Sequence, residues 1–408
     1  MASAARYLAD DNVPLLAMVS TGWLFVLGTR FVVPALLPAI RVELGVTNAM
    51  VGGAMTLLWL TYALMQFPAG LLAQQVGERA VLVTSLAVAA AGVFAFATAP
   101  GFGGFVLACG LFGLGAGLYF PPATTLLTGD SQSSGSTALG ITLAAGNIGA
   151  AILPFAGVAV AARYDWRLGV GFVLPLMVAS VLGVWVIAPV RSIPRDPEDD
   201  RSNAQIRAFL GAVFGRRRVV IPVAAITLLT FTNQGIATFL PTYLTVAKGL
   251  PPETAAALYG VFFAAGAVGQ PAAGRIATRL GSRRMLVWLT AFPAAVLGIL
   301  PFVKGTLWLA VVVLLIGLRV VVTPVNEAYV IESLPPAIRG SGYGLLRTIT
   351  LVLSASGSMA VGALADIGLF DAAFIGMAAL SGIAALAYAL LPPDERTTVS
   401  PRESAKGT

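Results

Sequence analysis

Apolar residues run through this chain in long blocks separated by short polar turns. Blocks with limits near 13–40, 48–73, 80–99, 102–128, 136–162, 168–190, 219–246, 253–273, 285–303, 306–331, 341–365 and 369–391 match the roughly 20 residues that cross a hydrocarbon core as a helix. They predict an all-α membrane protein with twelve transmembrane helices, numbered below as spans 1 to 12. The longest polar interruption separates six spans from six and divides the chain into 1–190, 191–218, 219–393 and a polar tail, 394–408. Inside the interruption Ile206, Phe209, Leu210, Val213 and Phe214 recur at helical spacing, which predicts a segment lying on the membrane surface.

Composition agrees with that pattern. Only 11% of the 408 residues are charged against 58% hydrophobic, where a soluble domain carries about 25% charged residues. Forty-five glycines suit close helix packing in lipid. One cysteine, Cys109, allows no intrachain disulfide, and the absence of histidine removes the commonest metal ligand and the usual neutral-pH proton carrier. No metal site and no cofactor is expected.

Charge placement sets an orientation. Of 25 lysines and arginines, Arg41, Arg163, Arg167, Lys248 and Lys304 fall on one side of the predicted membrane, and Arg30, Arg319 and Arg347 fall inside spans. All the others gather on the opposite side, which the positive-inside tendency makes cytoplasmic, with both termini and the central interruption. The net charge of +7 is thereby a topology signal that needs no nucleic-acid partner. Met1–Asn12 lacks the basic start and cleavage site of a secretory signal, so span 1 is expected to be retained.

The two halves match in register. Gly70 to Gly77 answers Gly274 to Gly281, Pro122 and Asp130 answer Pro324 and Glu332, and Leu37-Pro38 answers Leu240-Pro241. Two six-span halves of like orientation form a parallel 6+6 repeat. The loops after spans 2 and 8 carry Gly70, Gly77 and Arg79, and Gly274, Arg279, Gly281 and Arg283, with Gln74 and Thr278 where an aspartate is usual. On these marks the chain resembles the major facilitator superfamily. The resemblance implies a central cavity lined by spans 1, 4, 7 and 10 and alternating access by rocking of the halves. Arg30 to Gly45, with Pro38 and Glu43-Leu44-Gly45, also resembles span 1 of the anion:cation symporter branch, whose arginine there contacts anionic substrate.

Intramembrane charges are the candidate chemistry. An arginine at mid-depth costs at least ~2.5 kcal/mol on insertion scales, so it is expected to face a wet cavity or a partner. Arg30 in span 1 and Arg319 in span 10 suit a carboxylate or phosphate, which guanidinium grips through two parallel hydrogen bonds. The alternative is donation to backbone carbonyls. Asn233 and Gln234 in span 7 are candidate polar ligands, with Tyr119, Asn326, Tyr62 and Gln66 behind them; polar residues also simply glue helices together. The repeat carries Arg30 onto Asn233, which predicts an asymmetric site favouring a monoanion or a small dicarboxylate. Glu327 is the one acid well inside a span, placed to carry a proton or to pair with Arg347. Asp130 and Glu332, ending spans 4 and 10 beside the loops holding Arg79 and Arg283, are candidate latches of a cytoplasmic gate.

The expected function is therefore secondary active transport of a small organic anion through the cell membrane, taken up with protons by a monomer. One alternative is proton-driven export of a lipophilic or cationic compound, toward which Gly146-Asn147-Ile148-Gly149 with Pro154 and Gly157 points weakly, as a partial match to an antiporter signature. Another is a transport-inactive membrane sensor. No nucleotide-binding G-x-x-x-x-G-K-[ST] loop and no catalytic cluster is present, which argues against ATP drive and against an enzyme.

Overall fold

The computed structural model describes residues 13–128, 132–190, 217–334 and 339–392, without the side chains of 132–136, 271–279 and 339–341. The expected surface segment within 191–218 and the tail therefore lie outside the described residues, apart from Arg217 and Arg218, which begin span 7. Among the described residues the chain is helical throughout, with no strand.

Eleven helical stretches are long and apolar enough to cross a membrane: Val13–Leu44, Asn48–Val76, Glu78–Ala97, Phe102–Thr128, Thr137–Ala161, Trp166–Ile187, Arg217–Ala247, Ser282–Phe302, Thr306–Ser333, Gly342–Asp366 and Phe370–Ala389. The helix Pro252–Leu280 supplies the twelfth, span 8. The 6+6 arrangement is present, and the turns repeat along with the helices. Gly45 and Gly249 sit at φ of 62° and 68° after spans 1 and 7, and Gly77 and Gly281 at 91° and 86° after spans 2 and 8. A side chain at any of these positions would be strained, so the matched glycines of the two halves mark matched reversals. Spans 4 and 10 are both interrupted near mid-depth, at Leu118-Tyr119 and by a 3-10 turn at Leu318–Val321.

Glycine lets helices touch backbone to backbone within each half. A Cβ on Gly115 would strike Ala89, and Ser85 donates a hydrogen bond of 2.7 Å to the Gly115 carbonyl. Each half also ties its loops together at one end of the bundle. In the first half Arg167 pairs with Glu43 and donates from Nε to Ala99 O at 2.8 Å. In the second, Lys248 Nζ donates to the carbonyls of Pro301 and Val303 at 2.5 and 3.1 Å.

The halves meet tightly at that same end, here called the Asp366 end. The Asp366 carboxylate, finishing span 11, accepts from Asn48 N at 2.8 Å, Asn48 Nδ2 at 2.9 Å and Ala49 N at 2.8 Å. It thus caps the start of span 2 across the interface, where orphan amides and the helix dipole favour an anion. Behind it Thr56 Oγ1 accepts from Met359 N at 3.3 Å, and a Cβ on Gly52 would lie 2.7 Å from Ser358 O. Deeper in, Phe31 of span 1 packs on Phe263 of span 8, ring centres 4.1 Å apart, with Tyr259 at 6.2 Å. Asn147 of span 5 donates to Gln270 of span 8 at 3.2 Å.

Candidate functional site

A cavity of about 260 Å³ lies between the halves. Its lining begins at Arg30 and Phe31, at mid-depth above the Phe31–Phe263 contact. It extends past Asn233, Thr230 and Ile226 to Val223, Val330 and Tyr343, toward the end that carries Gly77 and Gly281. Spans 1, 2, 7, 10 and 11 contribute. Span 4, expected among the lining helices, does not; spans 2 and 11 stand in its place, with Trp59 and Tyr62 from one and Tyr343, Leu346, Arg347, Thr350 and Leu351 from the other.

Three arginines line the cavity and their surroundings differ. Arg30 is 7% exposed. Its guanidinium carbon lies 4.5 Å from the ring centre of Tyr62, 5.1 Å from Trp59 and 5.4 Å from Phe31. Ring faces attract the cation without accepting its hydrogen bonds in the plane; the Tyr62 hydroxyl accepts from the guanidinium, and Arg30 Nε has no hydrogen-bond partner. No carboxylate pairs with Arg30 among the described residues. Arg319, in the 3-10 turn of span 10, is equally buried, and its Nη2 donates to Leu229 O at 3.2 Å and to Thr232 Oγ1. Arg347 is paired with Glu327, Nη1 to Oε1 at 3.0 Å, and both side chains remain about a third exposed, at 31% and 29%.

The polar candidates divide likewise. Asn233, Gln234 and Asn326 line the cavity with Arg30 and Arg319. Gln234 Oε1 is buried without a partner, whereas Asn326 Oδ1 accepts from Tyr388 Oη at 2.9 Å. Tyr119 is not brought to the cavity. Its hydroxyl donates to Val19 O at 2.6 Å and its ring stacks on Trp23 inside the first half. It lies at the break of span 4, turned to span 1. Gln66 ties span 2 to Gly117 O at 3.2 Å. Sequence reasoning passed over Trp59, Phe31 and Tyr343. The signal for the first was its place three residues before Tyr62, on one helix face.

At the Gly77 end, Gly77 and Gly281 form the tight reversals noted above, Gly70 stands in open space, and Arg79 is half-buried. Arg283 donates to Ala389 O at 2.6 Å, and Glu332 is exposed. Asp130 lies outside the described residues, as do the side chains around Gly274 and Arg279, so the latch has no geometry here.

A family model described as Major Facilitator Superfamily matches residues 18–323. The chain belongs to that family. It is a multi-pass membrane transporter and not an enzyme. Its sequence is 23% identical over 376 residues to the fosmidomycin resistance protein of Escherichia coli, covering 90% of this chain and 89% of that protein. It is 27% identical over 402 residues to the probable sulfoacetate transporter SauU of Cupriavidus necator, covering 90% of each. The crystal structure of the nucleoside transporter NupG superposes with a TM-score of 0.74 at 16% identity, covering 93% of this chain and 98% of that one, and shares its fold. These superfamily members serve different solutes, so family membership leaves the solute to the cavity.

Proposed function

We propose that this transporter carries a small organic anion across the bacterial inner membrane by alternating access, coupled to protons through Glu327, with both termini cytoplasmic. The observation that carries the reading is Arg30: a buried guanidinium facing a cavity, cupped by three aromatic rings and matched by no acid among the described residues. A buried cation without a counter-ion is costly, and a bound anion relieves that cost. The likeness to a probable sulfoacetate transporter supports the class, because sulfoacetate is a small organic anion. On the positive-inside orientation the closed Asp366 end faces outward and the cavity faces the cytoplasm. The likeness to a fosmidomycin resistance protein favours export as a second reading of direction.

The test is a thermal-shift screen of the purified protein against organic anions and cationic drugs, paired with proteoliposome transport. An anion that raises the melting temperature and is transported, with both effects lost in Arg30→Ala, is the expected result. Stabilisation by cations alone would overturn the anion reading, and binding without transport would favour a sensor.

A further inference from the structure

Resting on the anion reading, we propose that the second cation of the site is Arg347, and that Glu327 is its resting counter-ion, displaced by the incoming anion and protonated as it leaves. Three arginines line the cavity, and their engagement separates them. Arg319 is committed to a backbone carbonyl and to Thr232, at 8% exposure. Arg347 pairs with the Glu327 carboxylate, with the Tyr343 hydroxyl beside both, and this group stays open to the cavity. Arg347 also reaches toward the opposite half: its guanidinium carbon is 5.9 Å from the ring centre of Phe120 in span 4. Tyr62 of span 2 stands within electrostatic reach of both Arg30 and Arg347. The two cations thus approach a common point from opposite halves, Arg30 from the first and Arg347 from the second.

An anion placed between them would bridge the halves. That is what a carried solute must do if binding is to favour one arrangement of the halves over another. Arg347 is then shared between the solute and Glu327, two like charges in one cavity. Like charges at close range disfavour joint ionisation. The groups facing Glu327 are Arg347 and Tyr343 from span 11; Arg30, Tyr62 and Arg319 share the cavity. No second acid is among them. The carboxylate that loses its cation takes a proton from hydronium reaching the cavity: one O–H bond of hydronium breaks, the carboxyl O–H forms, and neutral water is left. One negative charge and one proton enter together, so a monoanion moves without net charge. The same exchange gives Arg347 a function that a structural ion pair lacks.

The experiment measures binding of two probes, benzoate and sulfoacetate, to full-length detergent-purified protein by thermal shift and tryptophan fluorescence, from about pH 6 to about pH 8. The wild type should weaken by up to about tenfold per pH unit as the linked proton becomes scarce. Glu327→Gln should bind at least about tenfold more tightly than wild type at about pH 8 and show no pH dependence. The double variant Glu327→Gln/Arg347→Gln, which leaves no unpaired charge at that position, should lose that gain while keeping a normal ligand-free melting temperature. Unchanged pH dependence in Glu327→Gln, or equal affinity in the single and double variants, would overturn the proposal. If Arg30→Ala abolishes binding while the double variant binds like Glu327→Gln, the anion reading stands and this inference falls. If neither probe binds the wild type at any pH, both fall for these anions.

Discussion

An arginine carries five N–H donors in a fixed fork, and what meets that fork decides what the residue does. Arg319 meets a backbone carbonyl and the Thr232 hydroxyl of span 7, whereas Arg30 meets three ring faces and the Tyr62 hydroxyl. The first is a structural part of the interface between spans 7 and 10, so its loss should register as stability. Thr232→Val keeps the side-chain shape and deletes the acceptor; a hydrogen bond to a charged group is worth about 1.5–3 kcal/mol, so the melting temperature should fall. Thr230→Val is the control, because the Thr230 hydroxyl bonds only within its own helix, to Ile226 O at 2.7 Å. Equal melting temperatures in the two variants would mean that Thr232 does not hold Arg319. The sequence shows both arginines at mid-span but cannot show this difference, since Leu229 and Thr232 lie some ninety residues away in the chain and only folding brings them near.

Helices and turns were the most legible level. Apolar blocks gave the spans, and Gly77 and Gly281 marked equivalent turns because positive φ leaves little else but glycine. Which face of a helix meets the cavity was less legible. Tyr119 looks like a site residue by its depth, yet the break in span 4 turns it toward span 1, where Gly22 leaves room for its ring. Trp59 was hidden for the opposite reason, being apolar enough to read as lipid-facing. The cap of span 2 by Asp366 was not legible at all, since donor and acceptor come from different halves. Its removal should loosen the Asp366 end. Loss of a helix cap costs about 0.5–2 kcal/mol, enough to shift a balanced equilibrium between inward and outward states several-fold. Asp366→Ala should therefore raise the labelling rate of a cysteine at Thr56 by a membrane-impermeant maleimide in a Cys109→Ser background. Gly52→Val, which forces a side chain against the Ser358 carbonyl, should raise it further. Labelling as slow as in the parent would remove Asp366 from any part in closure.

At the scale of the whole molecule, two similar halves enclose a site that is not symmetric. Arg30 has a neutral amide, Asn233, as its repeat mate, and the acid of the cavity comes from the second half alone. On the proposed coupling through this one acid, Glu327→Gln should abolish uphill uptake driven by a pH gradient and still permit solute counterflow, because exchange needs no net proton movement. Undiminished uphill uptake would refute coupling through Glu327. The 6+6 plan was fully legible, since it rests on hydropathy and repetition. The pairing of Glu327 with Arg347, by contrast, follows from the packing of spans 10 and 11.

The Phe31–Phe263 contact, with Tyr259 packed edge-on beside it, separates the cavity from the Asp366 end by aromatic rings rather than by charges. A barrier of that kind is an insulator. Its side chains carry no ionisable group apart from the Tyr259 hydroxyl, which is bound to Ala237 O, so the membrane voltage should fall largely across this thin aromatic layer and not along the open cavity. On the proposed coupling, a carrier built this way waits empty, open to one side only, without short-circuiting the proton gradient.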